Sequence, residues 1–171
     1  EARYANDYRV AKLRVERYRS VVNGHWTTRM LALDVGCANG AFVHYLRSQE
    51  VLAFGMDRNP KLPRWCVRGD VQSCRFGRGR FGFVTYHDVL EHIVDPVAEL
   101  ESARRLMAGG SVLVLDVPDV SVPQGVHHWK AEHLWYFTAT ALRTLLERTG
   151  FCVAHEDRPI PGMLVVYGVA G

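Results

Sequence analysis

Met30-Leu31-Ala32-Leu33-Asp34-Val35-Gly36-Cys37-Ala38-Asn39-Gly40, followed by Ala41-Phe42-Val43-His44-Tyr45-Leu46-Arg47, decides the fold. Its first half is a short apolar run of the kind that makes a strand buried on both faces. Gly36 and Gly40 then punctuate a turn, and the residues after Gly40 read as a helix. A buried strand that enters a glycine-rich turn and then a helix brings backbone N–H groups close to a ligand at the helix's positive end. This arrangement binds a nucleoside-type cofactor.

Two details separate the possible cofactors. A dinucleotide fingerprint wants glycine where this chain has Ala38 and Ala41, because the backbone must approach a pyrophosphate and the helix must pack close to its strand. The chain has instead a carboxylate, Asp34, two residues before the first glycine, where a pyrophosphate gains nothing from a fixed negative charge. S-adenosylmethionine carries an amino group and a sulfonium, and an acid there suits it. Asp57 follows at the end of the next apolar run, Val51-Leu52-Ala53-Phe54-Gly55-Met56, at the spacing where a βαβ unit offers an acid to ribose hydroxyls.

At this point the chain resembles the class I S-adenosylmethionine-dependent methyltransferases, whose first motif is an acid-x-Gly-x-Gly-x-Gly turn, with Ala38 here in place of the middle glycine. Gly69-Asp70-Val71 is similar to the acidic turn that meets the adenine amino group in that family. Phe81-Gly82-Phe83-Val84-Thr85-Tyr86-His87 and the following Asp88-Val89-Leu90-Glu91-His92 resemble its fourth strand and continuation. His133-Leu134-Trp135-Tyr136-Phe137-Thr138, with Leu142, Leu145, Leu146 and Gly150-Phe151, resembles the C-terminal pattern of the small-molecule O- and N-methyltransferases that include ubiquinone-biosynthesis enzymes. The resemblance runs from about Leu31 to Phe151. It implies S-adenosylmethionine as cofactor and S-adenosylhomocysteine as product. Asp34, Gly36, Cys37, Ala38 and Gly40 would hold the methionine part, Asp57 with Arg58 the ribose, and Asp70 with Val71 the adenine, with Tyr86 and His87 closing the site.

The rest of the pattern alternates strand and helix. Strands are expected at 30–35, 51–57, 66–69, 81–87 and 111–117, and helices at 40–49, about 94–107 and 138–149. Short apolar runs separated by helices indicate an α/β protein with a parallel sheet buried on both faces. Two last runs, Phe151–His155 and Met163–Tyr167, flank a turn around Pro159-Ile160-Pro161-Gly162 and predict an antiparallel hairpin. The methyltransferase resemblance implies the same fold class, Rossmann-like: a doubly wound, seven-stranded, mostly parallel sheet that ends in such a C-terminal antiparallel hairpin. Tyr4, Tyr8, Ala11, Val15, Tyr18 and Val22 recur at alternating spacings of four and three, which predicts a leading helix from about Ala2 to Val21 stopped by Asn23-Gly24. We divide the chain into residues 1–23, a helix covering the cleft, and 24–171, the cofactor-binding domain. Tyr4 and Tyr8 read first as packing residues of that stripe and second as contacts to the methionine end of the cofactor.

Composition sets limits. With 171 residues, 48% hydrophobic and 23% charged, the chain is one ordinary globular domain. No run approaches the roughly eighteen apolar residues of a membrane span, so no membrane partner is expected. Cys37, Cys66, Cys74 and Cys152 have neither zinc-ligand spacing nor a disulfide pattern, and no charged-then-apolar leader is visible, so the expected compartment is the cytoplasm. Net charge is +3, with Arg58, Lys61, Arg64, Arg68, Arg75, Arg78 and Arg80 set against Asp70 alone. Such a cluster reads first as a solvated edge and second as a field for nucleic acid.

The segment Pro118–Tyr136 is long for a connection after the fifth strand, and holds three histidines and three large aromatics. We take it as the substrate wall, with His133 as catalytic base and His128 as second choice, since an imidazole near its unperturbed pKa suits proton removal from a hydroxyl or protonated amine. Asp88, Glu91 and His92 stand at i, i+3 and i+4 and, on a helix, would share one face. Completed by His133 they would form a divalent-cation site, as the Glu-x-x-Glu-His of small-RNA 2′-O-methyltransferases and ubiquinone O-methyltransferases resembles; Asp here shortens the reach, and no metal is expected. The leading reading is methyl transfer to an oxygen or nitrogen of a small molecule. An RNA-directed methyltransferase, metal-assisted or not, is the alternative, and a non-catalytic cofactor-binding subunit is a third. Oligomeric state is left open.

Overall fold

The computed structural model describes residues 2–22, 30–122 and 130–171. Its centre is a seven-stranded sheet built from β1 (Leu31–Val35), β2 (Leu52–Asp57), β3 (Cys66–Arg68), β4 (Phe81–His87), β5 (Met107–Pro118), β6 (Phe151–Asp157) and β7 (Met163–Ala170). The order across the sheet is β3-β2-β1-β4-β5-β7-β6. The first five strands in that order run parallel, and β7 is antiparallel to both β5 and β6. The hairpin thus enters with its second strand inside and its first at the edge. Strand order reverses between β1 and β4, and a doubly wound sheet receives its ligand at that point.

Alternate residues of the central strands face two separate cores. Leu33, Val84, Leu113 and Leu115 pack with Leu100, Ala103, Leu142 and Leu146 of α3 (Pro96–Leu106) and α4 (Ala139–Arg148). Ala32, Phe83, Val112 and Val114 pack with Ala11, Val15 and Tyr18 of α1 (Ala2–Val21) and with Phe42, Val43 and Leu46 of α2 (Ala41–Ser48). Each strand is therefore apolar on both faces, which is why the period-two alternation of a half-exposed sheet is absent from the sequence. Local chemistry sets the helix starts. Asp95 caps α3 by accepting from the Ala98 amide at 2.9 Å, with Pro96 at the first helical position, and Thr138 caps α4 through the Ala141 amide at 3.2 Å.

Three details depart from the sequence reading. Helix α3 passes directly into β5, which begins at Met107 and not at 111. Phe81 pairs with Met107, the register shifts, and Phe83 then pairs with Val112, leaving exposed Ala108, Gly109 and Gly110 as a bulge that periodicity does not reveal. The stretch after β4 is not an α-helix. Asp88 has φ +53° and only Leu90–His92 form a single 3-10 turn, so Asp88 does not share a face with Glu91 and His92. The proposed stop at Asn23-Gly24 lies outside the described residues, as do His127 and His128.

Candidate functional site

Everything at the carboxyl end of β1 follows from a tight turn. Gly36 has φ +72°, Ala38 +46° and Gly40 +72°, so the chain reverses within five residues. The amides of Gly36 and Cys37 both donate to the Met56 carbonyl, at 2.8 and 3.1 Å, and the Ala38 amide donates to Asp57 Oδ2 at 2.8 Å. Glycine is required at 36 on two counts, since a Cβ there would lie 2.3 Å from Val89 Cγ2 and the left-handed backbone strains any L side chain. Ala38 takes the left-handed conformation without that exemption, at a cost of about 1–2 kcal/mol. Gly40 opens α2 and packs against Pro63, outside the cleft.

Asp57 ends β2 with each oxygen used once. Oδ2 accepts from Ala38 and Oδ1 from the Asn59 amide at 2.8 Å. A carboxylate has about four lone-pair sites, so both oxygens can still accept from a pair of vicinal hydroxyls. Asp70, after β3, accepts from the amide and hydroxyl of Ser73 at 2.8 and 2.7 Å. Those bonds hold its carboxyl below the usual carboxylate range against the opposing effect of burial, and Arg58, 4.0 Å away, assists. Asp57, Arg58 and Asp70 line one cavity of about 350 Å³ with Gly36, Asp88, Val89, His92 and Glu99. Val71 and Tyr86 belong to the core and not to the cleft, with the Tyr86 hydroxyl donating to Glu99 at 3.1 Å.

Gly36 also lines a second recess of about 140 Å³, walled by Asp34, Cys37, Ala38, Asn39 and His87 on one side and by Asp7, Val10, Ala11 and Arg14 of α1 on the other. Here the leading helix lines the recess with Asp7 and Arg14 and not with its tyrosines. Tyr4 bonds His44 Nδ1 at 2.6 Å and Tyr8 donates to Ser48 at 3.2 Å, so both pack on α2. Asp34 is buried, and its Oδ1 takes the Thr85 hydroxyl at 2.8 Å and His87 Nδ1 at 3.1 Å. His87 Nε2 lies 2.9 Å from the Tyr18 hydroxyl, which also reaches Asp116 at 3.0 Å. Arg14 completes the network through Asp116 at 2.9 Å and Asp88 at 3.3 Å. The sequence reading missed this network. Its one visible sign was Asp116 closing the apolar run Val112-Leu113-Val114-Leu115, an acid at a strand's carboxyl end.

Asp88 also borders a third cavity, of about 230 Å³, shared with Pro118, Lys130, His133, Ile160 and Met163. His133 therefore sits beside the cleft, while His128 is outside the described residues. The His133 ring lies 4.9 Å from that of His92, and Glu91, His92 and His133 bring ligand atoms within 4.8 Å of one another. Both Glu91 carboxylate oxygens and His133 Nδ1 are buried without a hydrogen-bond partner. Burial raises the Glu91 carboxyl to about 7; burial and the neighbouring His92 and Lys130 lower His133 below its ordinary value, so its imidazole is neutral at pH 7. Asp88 is turned away to Arg14 and does not join this cluster.

These residues fit S-adenosylmethionine. The first cavity offers two acids for ribose and adenine donors, and the smaller recess offers a buried acid, Asp34, for an amino group. The seven basic residues between Arg58 and Arg80 are all exposed, and among the described residues no helix is long and apolar enough to cross a membrane.

A structure of a SAM-dependent methyltransferase from Archaeoglobus fulgidus superposes with a TM-score of 0.76 at 16% identity, covering 95% of this chain and 94% of that one. One from Aquifex aeolicus gives 0.73 at 14% identity, covering 91% and 89%. A chain from the complex between the Haloferax volcanii Trm112 methyltransferase activator and a methyltransferase gives 0.70 at 18%, covering 99% and 96%. No curated protein matches the chain in sequence. The profile of the family described as a methyltransferase domain matches residues 15–156, which include Asp34, Asp57, Asp70, Asp88 and Asp116, and the chain therefore belongs to the S-adenosylmethionine-dependent methyltransferases.

Proposed function

We propose that this methyltransferase acts on an oxygen or nitrogen of a small molecule, with His133 as the base. The observation that carries this reading is the third cavity. It adjoins the cofactor cleft at Asp88, has about 230 Å³ of room, and combines apolar walls from Pro118, Ile160 and Met163 with His133 and Lys130. A volume just below that of common ligand pockets favours a compact acceptor over a polymer. The cofactor, when bound, supplies a methyl group already activated on a sulfonium. The chain's own work is alignment: Asp57 and Asp70 fix one end, Asp34 the other, and the cavity presents the acceptor. A neutral His133 takes the acceptor's proton.

A panel of phenols, catechols and amines, assayed by release of S-adenosylhomocysteine, tests the proposal. With the best acceptor, His133→Gln should lower kcat by about 10²–10⁴ and leave KM nearly unchanged. The parent's kcat should fall on the acid side as His133 becomes protonated, and the variant should lose that limb. Turnover on structured RNA that weakens steeply with salt, and none on the panel, would favour the RNA-directed alternative.

One observation favours a second reading, in which a divalent cation assists. Glu91 and His133 carry buried polar atoms without partners, and with His92 they fit a hard or borderline cation that would polarise the acceptor. Titration calorimetry of chelator-treated protein with Mg²⁺, Mn²⁺ and Zn²⁺, repeated on Glu91→Gln, tests it. Binding lost in the variant supports the cation, and activity unaffected by chelator refutes it.

A further inference from the structure

We infer that Cys37 and Cys66 form an oxidisable dithiol beneath the cofactor turn, a modification site that a peroxide converts into a disulfide. The two residues come from opposite sides of β2: Cys37 follows β1 and donates its amide to the Met56 carbonyl at 3.1 Å, whereas Cys66 opens β3 in register with Gly55. Gly55 between them has no side chain, and both thiols occupy the space this leaves. A Cβ at 55 would lie 2.6 Å from each sulfur. Any other residue at 55 would separate the pair, so the glycine makes the thiols neighbours. The Cys66 sulfur is also in contact range of the turn itself, 3.2 Å from where a Cβ on Gly40 would stand.

The partners are unequal in a way that assigns their roles. Cys66 is half-buried and Cys37 buried. Hydrogen bonding with Cys37 holds the Cys66 thiol below its ordinary pKa, and the same contact together with burial pushes Cys37 up. Cys66 is thus the accessible nucleophile and Cys37 the resolving thiol. The Cys66 thiolate attacks one peroxide oxygen and the O–O bond breaks. Cys66 becomes a sulfenic acid and the other oxygen leaves as hydroxide, which takes up the proton Cys66 lost. Cys37 then attacks the sulfenic sulfur; the S–O bond breaks, the S–S bond forms and a second water leaves. Two thiols lose two electrons, and the peroxide is reduced to two waters.

Closing the bond pulls Cys37, a wall of the methionine recess, towards β3 and shifts the turn it shares with Gly36 and Ala38, which line the same recess. Oxidation therefore weakens cofactor binding, and bound cofactor opposes oxidation by the same factor. This consequence rests on the cofactor reading of the cleft; the chemical step does not. The test uses the reduced full chain, treated with one equivalent of hydrogen peroxide and examined by intact mass and peptide mapping. The expected result is a mass lower by two hydrogens, a peptide joining Cys37 to Cys66, and reversal by dithiothreitol. Cys152→Ser should behave like the parent, Cys66→Ser should not link, and differential alkylation of the parent gives the same answer without a variant. The oxidised chain should bind S-adenosylhomocysteine at least about tenfold more weakly than the reduced one. Overoxidation of Cys66 without linkage, or linkage through Cys74 or Cys152, overturns the dithiol; equal affinity in both forms overturns its effect on binding. A reduced chain that does not bind S-adenosylhomocysteine counts against the cofactor reading, and the mass result then decides the dithiol alone.

Discussion

Glu91→Gln should stabilise the protein at alkaline pH and do little for it in acid. Both carboxylate oxygens are buried without partners, and burial raises the group from 4.5 to about 7. The folded chain therefore holds a proton that the unfolded chain has released between those values. Stability from this group is complete below 4.5 and is lost as pH climbs through 7. At about 1.4 kcal/mol per unit, the loss between pH 5 and pH 8 comes to about 2–3 kcal/mol. Glutamine keeps the shape and has no proton to release, so that loss is absent from the variant. Urea unfolding of parent and variant in chelator, at pH 5 and pH 8, isolates the effect because every other titrating group is common to both. The stability gap should widen in the variant's favour by about 2–3 kcal/mol on going to pH 8. A gap that stays constant, or widens in the parent's favour, would refute the picture of an unpaired buried acid. Adding Mn²⁺ at pH 8 separates the two functional readings, since a bound cation would stabilise the parent and not the variant.

Further expectations concern the cleft. Asp57→Ala should weaken S-adenosylhomocysteine binding on the order of a hundredfold by calorimetry, because two hydroxyls lose a charged acceptor; unchanged affinity would remove Asp57 from the ribose site. Gly36→Ala should cost about 2 kcal/mol or more, from a left-handed backbone and a methyl group 2.3 Å from Val89 Cγ2. The pair Gly36→Ala with Val89→Ala should recover part of that loss, and strict additivity in thermal melts would count against the clash. Tyr18→Phe should cost about 1–3 kcal/mol by denaturant unfolding, since it removes the hydroxyl that joins His87 to Asp116.

What was legible in the sequence was local. The strand, turn and helix around Asp34 and Gly36 could be read because apolar runs and glycines punctuate them within a dozen residues, Asp57 because it ends a run, and Asp70 because Gly69-Asp70-Val71 resembles the family's acidic turn. The antiparallel hairpin followed from the same punctuation, whereas the order of strands across the sheet came only with the structure. What was not legible depends on distant neighbours. The conformation of Asp88 follows from how β4 leaves the sheet, so the i, i+3, i+4 spacing to Glu91 and His92 misled, while His133 reaches that pair from 41 residues beyond His92. Tyr4 and Tyr8 lie on the apolar stripe as expected, but the stripe turns towards α2 and leaves Asp7 and Arg14 at the recess. Glu99 is a buried acid on a helix whose partners, Tyr86 and Gln72, come from two other segments, and no local pattern announces it.

The tie between the first helix and the fifth strand sets a timetable for the newborn chain. Tyr18 must wait for Asp116, a separation of 98 residues, which at ribosomal speeds of about 5–20 residues per second is roughly 5–20 seconds. During that interval α1 can already rest its N-terminal half on α2, through Tyr4 on His44 and Tyr8 on Ser48, but its Tyr18 end has no β5 to join. Contacts so distant in sequence are slow to close, so the covered recess is among the last features to mature. Until then the Tyr18 end of the helix, with its buried hydroxyl, lacks the carboxylate it bonds in the finished fold.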